Sequence, residues 1–278
     1  MDRRTDGGAG QASKSAADAL ADQDYRHDLG EGLLLRWSTP DDRDRLAAMF
    51  ANVLRAGEHV PPNHRHGAWV RDMMSGRCPH ITPFDFALAE DTGTGQIVAS
   101  ACLFANRATY EDLPFTLRRA AIVGTEIPYR TRGLQRSIFA LIHARSAQRG
   151  HLAQGIAGIR YVYRAFGYEY AIDLEASQHV YIAALPPRQA AEVAPFGLRA
   201  AVEADVPLLT ALAAHERPCW QIATVLDPEA WRWMLFGADP AAGNLGTAFI
   251  ITGAGRDVGY LLVDRLRRGD SLGIWGWR

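Results

Sequence analysis

Cysteine is scarce in this chain: Cys78, Cys102 and Cys219 are the only three in 278 residues, and no two form a CxxC pair. That scarcity excludes a disulfide framework and a zinc knuckle, fits a reducing compartment, and leaves the three as small buried hydrophobes. Long apolar runs are lacking too. No stretch approaches the roughly 18 residues a membrane span needs, and MDRRTDGGAGQASKSAADALADQD at the N-terminus has no signal-peptide core, so the expected location is the cytoplasm. An excess of either charge is the third absence. With 30 Lys and Arg against 31 Asp and Glu, the formal net charge is -1, and no global field recruits nucleic acid or an anionic membrane surface. An anion site must therefore be local.

What the chain does have is core-forming material, 48% hydrophobic over a length that suits two units. Residues 1–30, rich in Gly, Ala, Ser and Asp, bury too little apolar area to offset their ordering entropy and are expected to be a flexible tail. Order is expected from residue 31. Leu33 to Trp37 read as a strand, and Ser38 or Thr39 with Pro40, Asp41 and Asp42 reads as a helix start. Leu46, Met49, Phe50, Val53 and Leu54 then fall on one helical face. A loop containing EHVPPNHRHG precedes a short helix expected over Ala68 to Met74. FDFALAEDTGTGQIVASACLF reads as a hairpin, and RRAAIVGTEI as a third long strand. From Gly133 the period changes: Leu134, Ile138, Leu141 and Ile142 share a helical face, and Gly150 ends the helix. A short strand at HLAQGIAG, a short helix at IRYVYRAF stopped by Gly167, and a closing strand pair through Leu185 complete a unit of residues 31–185. The predicted fold is α/β in the α+β sense, a mixed and mostly antiparallel sheet flanked by helices.

Residues 186–197 carry a proline-rich linker. FGLRAAVEADVPLLTALAAHE then repeats GLLLRWSTPDDRDRLAAMFAN, and TAFIITGAGRDVGYLLVDRL repeats FDFALAEDTGTGQIVASACLF, at an offset of about 160 positions. Residues 198–278 are therefore expected to be a second, partial copy of the same domain. Nothing in it corresponds to PYRTRGLQRS, residues 128 to 137.

That decapeptide sits where a strand gives way to a helix. A helix N-terminus leaves about four N–H groups without intrahelical partners and carries roughly half a positive charge. Gly133 lets an anion approach the backbone with no Cβ in the way. Arg130, Arg132 and Arg136 add guanidinium forks matched to phosphate oxygens. Strand, Arg and Gly turn, helix is a physical recipe for a pyrophosphate site.

On these residues the chain resembles the GNAT family of acyl-CoA N-acyltransferases. That family's signature, Gln/Arg-x-x-Gly-x-Gly/Ala, is matched by Arg130, Thr131, Arg132, Gly133, Leu134 and Gln135 except at Gln135. The departure is similar to the Eis-type (enhanced intracellular survival) branch, with its RRRGLLR-like turn and two GNAT copies in one chain. YRAFGYEY, residues 163 to 170, resembles the family's Tyr-x-x-x-Gly-Phe/Tyr box. The resemblance implies acetyl-CoA as cosubstrate and direct transfer of its acetyl group to a primary amine. It implies Val123, Gly124 and Thr125 along the pantetheine arm. Thr131, Arg132, Gly133, Leu134, Gln135 and Arg136 would surround the pyrophosphate, and Gly158 and Ile159 the cofactor's other side. Tyr163 takes the position of the general acid that protonates the departing thiolate, with Tyr161 and Tyr168 as its neighbouring competitors. Glu126 is the nearby carboxylate for deprotonating the amine, against a surface or capping role. Eis-type enzymes use a carboxylate from a third domain, which has no equivalent in this sequence.

His59, His64 and His66 lie on a proline-bearing loop without metal-ligand spacing; the resemblance implies that this loop borders the acceptor channel, which makes them, with Glu58 and Trp69, candidates for substrate contact. GAGRDVG, residues 253 to 259, superficially resembles a dinucleotide fingerprint, but lies between two strands and reads as a hairpin turn. WRWMLFG, residues 231 to 237, reads as core or interface, and the unfinished second sheet admits a homo-oligomer. The expected partner is a small-molecule or peptide amine, with neither nucleic acid nor membrane involved. The alternative from another class is a GNAT-like CoA-binding or assembly module without turnover.

Overall fold

The computed structural model describes residues 15–159, 161–172, 194–242, 246–264 and 273–277. The chain begins with helix α1 (Ala16–Ala21), strands β1 (Arg26–Gly30) and β2 (Leu33–Trp37), and helices α2 (Arg43–Val53) and α3 (His64–Met73). Strands β3 (Phe86–Asp91), β4 (Gln96–Tyr110) and β5 (Leu113–Thr125) follow, then helix α4 (Leu134–Gln148) and the short β6 (Ala153–Gly155). The sheet runs β1-β2-β3-β4-β5-β6, antiparallel except for the β5/β6 pair. The mixed, mostly antiparallel architecture is the one expected.

Alternation along each strand sends side chains to two cores. Ala87 and Ala89 join Leu35, Trp37, Leu103 and the α4 residues Ile138, Leu141 and Ile142. Phe86 and Leu88 join Leu46, Met49 and Phe50 of α2 and Val70 and Met73 of α3 on the opposite face. The β4–β5 hairpin turns at Glu111 and Asp112, both left-handed with φ of 47° and 65°, as a two-residue turn compatible with strand twist requires. Near its other end, Ser100 faces Gly124 but Cys102 faces Ala121, so Ile122 and Val123 together oppose Ala101. Ile122 takes φ of 46° at this bulge, a costly conformation for a β-branched residue.

The expected flexible tail is corrected for residues 15–30, while residues 1–14 lie outside the described part. Ser15 and Asp18 form a capping box at the start of α1. Two buried donors explain why this segment is tied down: Trp37 donates its indole N–H to Leu20 O at 2.9 Å, and Arg145 of α4 donates Nε and Nη2 to Ala21 O at 3.2 and 3.1 Å. Buried donors need acceptors, and no local composition rule reports that need. The second correction concerns α3. It starts at His64 and not Ala68, because Asn63 accepts a hydrogen bond from Arg65 N and caps the helix there. His64 and His66 are therefore helical. The closing strand pair lies largely outside the described residues.

The second unit contains β7 (Phe196–Ala200), α5 (Val206–Glu216), β8 (Ile222–Thr224), α6 (Pro228–Arg232), β9 (Gly246–Gly253), β10 (Arg256–Asp264) and β11 (Ile274–Trp277). β7 starts two residues inside the expected linker. Its sheet runs β11-β10-β9-β7, while β8 leaves it to pair with the far end of β4 at Ala108, Thr109 and Tyr110. One local arrangement recurs in the two sheets. Arg36 donates Nη1 and Nη2 to Asp42 at 2.7 Å each, and Arg199 donates the same pair to Asp205 at 2.7 and 2.8 Å. Thr39 N and Val202 N each donate to that aspartate at 2.8 Å. GAGRDVG makes the β9–β10 turn at Ala254 and Gly255. In WRWMLFG, Trp231 is fully buried, while Trp233 meets His80 of the first unit edge-on, with ring centroids 6.1 Å apart. No described helix is long and apolar enough to cross a membrane.

Candidate functional site

β5 pairs with β6 only at Leu117, Arg118 and Arg119. From Ala120 to Thr125 it keeps β4 on one side and has no strand on the other among the described residues. The chain leaving β6 swings onto α4 instead. There the rings of Tyr163, Phe166 and Tyr168 surround Phe139, with Phe166 stacked at 4.5 Å between centroids. The result is a split between the bulged end of β5 and the Tyr163 turn, which runs from Tyr163 to Phe166.

The end of β5 is tightly fixed. A Cβ on Gly124 would stand 2.9 Å from Val53 Cγ1 and 3.3 Å from Phe50 Cε1, so α2 approaches as closely as it does only over glycine. Gln135 reaches back from the first turn of α4 and donates Nε2 to Gly124 O at 2.7 Å and Thr125 Oγ1 at 2.9 Å. Its carboxamide therefore faces β5, and Oε1 is buried without a partner. Glu126 follows, donating its N–H to Val98 O at 2.8 Å and accepting from Asn52 Nδ2 at 2.7 Å. Asn52, half-buried in the last turn of α2, gave no signal in the sequence. Val123 packs half-buried on the α4 core.

The turn into α4 is open where a ligand would need it. Gly133 is the N-cap at φ 77°, and an added Cβ would meet nothing within 4 Å. Thr131 is also left-handed, at φ 65°, with its hydroxyl donated to Arg130 O. The arginines are not equivalent. Arg130 donates Nε to Thr125 O at 3.3 Å, Arg136 is exposed, and Arg132 lies over the Tyr129 ring and pairs with Glu31 at 3.2 Å. Beside Arg132, Leu134 and Ser137 is a cavity of about 400 Å³, whose other wall is Leu29, Gly30 and Glu31. Leu29 and Gly30 of that wall come from the segment expected to be a tail, and Glu31 adjoins it, which is why sequence reasoning missed the cavity.

The three tyrosines differ in surroundings. Tyr161 is 68% exposed. Tyr168 is committed, donating its hydroxyl to Gln154 Oε1 at 2.8 Å and lying 3.3 Å from His143 Nε2. Tyr163 is half-buried, its hydroxyl has no partner among the described residues, and burial pushes its pKa above the ordinary tyrosine value. Gly158 is required by that ring, since a Cβ there would stand 2.5 Å from Tyr163 Cε2, whereas Ile159 is 70% exposed. In α3, His66 has Nδ1 buried without a partner, and burial lowers its pKa. No group of His, Cys, Asp and Glu among the described residues is arranged to hold a metal ion.

No family model matches the chain, and no curated protein matches it in sequence. Solved structures do match it in shape. A conserved protein of unknown function from Enterococcus faecalis V583, a probable N-acyltransferase, superposes with a TM-score of 0.59 at 11% identity, over 85% of this chain and 56% of that one. Two structures of Saccharomyces cerevisiae N-myristoyltransferase with bound myristoyl-CoA give TM-scores of 0.62 and 0.61 at 9% and 11% identity. Each covers 91% of this chain, which spans 67% and 64% of theirs. At such identities the likeness speaks of fold alone: this chain has the mixed, mostly antiparallel α/β fold found in N-acyltransferases.

Proposed function

We propose that the protein is an acyl-CoA-dependent N-acyltransferase, and in the sharper form that it passes an acetyl group to a primary amine by direct attack. One observation carries the reading: β5 loses its β6 partner after Arg119, bulges at Ile122, and runs within eight residues into a helix capped by an unobstructed glycine. A strand edge with no strand beside it among the described residues, followed by a helix N-terminus open to an anion, fits an amide-containing arm ending in a pyrophosphate. Bound acyl-CoA would supply an activated thioester carbonyl.

The chain's own groups have defined parts in this reading. Val123, Gly124 and Thr125 present the strand edge, with Gln135 holding Gly124 and Thr125 in register. Thr131, Gly133, Leu134 and the Arg130, Arg132 and Arg136 side chains form the anion turn. Gly158 and Ile159 lie across the split. Tyr163 is favoured over its neighbours as the proton donor, because its hydroxyl is uncommitted, whereas that of Tyr168 is held by Gln154 and Tyr161 is largely exposed. Glu126, steadied by Asn52, is the carboxylate available to the amine's proton. The repeated clasp supports reading residues 198–278 as a partial second copy of the same domain. A module without turnover is the second reading, favoured by one observation: Gln135 and Arg132 already have partners within the chain.

Titration with acetyl-CoA and longer acyl-CoAs by calorimetry, followed by thiol release with a panel of amines, separates the two. Binding with turnover supports the enzyme, and binding alone the module. Absence of binding at micromolar cofactor rejects the enzyme. Tyr163→Phe is expected to lower turnover about 10²-fold with little change in cofactor affinity.

A further inference from the structure

A second cavity, of about 250 Å³, lies where the end of α5 meets β8 and β10. It is far from the split. β8 pairs with Ala108 to Tyr110 of β4, while Ala99 and Ser100 face Thr125 and Gly124, a separation of roughly 30 Å along the strand. Glu216 and Arg217 line the cavity together with Trp220, Ile222, Leu226 and Tyr260.

Both charged groups are left incomplete. The half-buried Glu216 carboxylate accepts from Trp220 Nε1 and Tyr260 Oη, each at 3.2 Å, and these donors are neutral. It has no ion-pair partner among the described residues. Arg217 Nε is buried with no hydrogen-bond acceptor, and Asp112 Oδ1 stands 3.8 Å away. A carboxylate taken partly out of water wants a cation, and a buried guanidinium N–H wants an acceptor. A lone amine would satisfy the first and meet repulsion from Arg217. A lone carboxylate would satisfy the second and meet Glu216. One small molecule carrying both charges completes the pair.

We infer that this cavity binds a free α-amino acid with an apolar side chain: ammonium on Glu216, carboxylate on Arg217, side chain against Trp220, Ile222 and Leu226. The position suits the ammonium, because Glu216 is the last residue of α5, where the helix presents the negative end of its dipole. Trp220 is 57% exposed, so its ring remains available to the ligand. The volume falls below the roughly 300 Å³ typical of sites for larger ligands and suits a single residue.

The test is calorimetric titration of the full chain with L-leucine at millimolar concentration, alongside isoamylamine and 4-methylpentanoate, which lack its carboxylate and its ammonium respectively. Saturable L-leucine binding is expected, with both analogues at least about tenfold weaker. Glu216→Gln is expected to weaken L-leucine about tenfold while the melting temperature stays near that of the parent. No saturable binding of L-leucine overturns the inference, and so does an analogue that binds equally well. The analogue comparison decides even if the variant folds poorly. Neither acyl-CoA nor turnover enters the measurement, so its outcome is separate from that of the proposed transferase activity.

Discussion

The two sheets carry the same clasp in different surroundings, and the contrast shows how one motif takes on different weight. Arg36 and Asp42 are both buried, and Arg36 also bonds Glu90 on β3 at 2.6 Å. Burial would raise the Asp42 pKa, but Arg36 and the Thr39 N–H hold it below the ordinary aspartate value. Arg199 and Asp205 repeat the geometry with side chains 39% and 12% exposed. The first sheet is covered by α2 and α3 on one face and α4 on the other. The second has α5 and α6 against Ile250, Tyr260 and Leu262, while Phe196 and Leu198 of β7 stand 60% and 59% exposed. Coverage, more than sequence identity of the motif, sets what the ion pair contributes.

The contrast can be broken most directly at the clasp itself. Arg36→Met removes the bidentate partner of buried Asp42, leaving it Arg45 and the Thr39 N–H, and is expected to destabilise the chain by at most about 3–5 kcal/mol, read from urea denaturation. Arg199→Met, at the more exposed clasp, is expected to shift the same curve less. Equal effects would remove burial as the explanation.

A smaller effect is expected from glycines that face a neighbour in each sheet. Gly124→Ala drives a methyl against Val53 and Phe50 between two covered layers and should cost about 1–3 kcal/mol. Gly253→Ala meets Phe196 Cδ1 at 2.8 Å, but that ring is mostly exposed and can swing aside, so its midpoint should move little.

The smallest effect is a pH dependence confined to the first sheet. His151 accepts from Arg118 Nε at 2.8 Å, and burial with the nearby Arg118 and Arg149 charges lowers its pKa from 6.5 to about 4. The unfolded chain therefore takes up this proton first. Its contribution is fully present above about pH 6.5, is lost as pH falls toward 4, and does not change further below that. Partial exposure limits the loss to about 1–2 kcal/mol. His151→Gln should flatten the stability profile between these pH values relative to the parent, and an unchanged slope would assign the dependence to other groups.

Much of this was legible in the sequence, for identifiable reasons. Leu134, Ile138, Leu141 and Ile142 mark α4 because an apolar stripe at helical spacing leaves few alternatives, and Gly133 marks its start because φ of 77° favours glycine. The recurrence of the clasp was visible because RAAVEAD repeats the Arg and Asp of RWSTPDD at their original separation. The segment at residues 15–30 was misread because its composition is that of a tail, while its order comes from acceptors it offers to Trp37 and Arg145.

By itself, then, the sequence determined the order of elements, the strand, turn and helix around PYRTRGLQRS, and the recurrence of the Arg–Asp clasp. These depend on periodicity and on backbone preferences of residues close along the chain. Only the tertiary structure decided that Gln135 turns inward to Gly124, that Glu31 meets Arg132, that Asn52 holds Glu126, and that Glu216 and Arg217 share a cavity with Tyr260. Helical and strand periods specify which face a side chain occupies. Its partner there is fixed by the element that packs against that face, and by the need of buried polar groups to be satisfied once water has left.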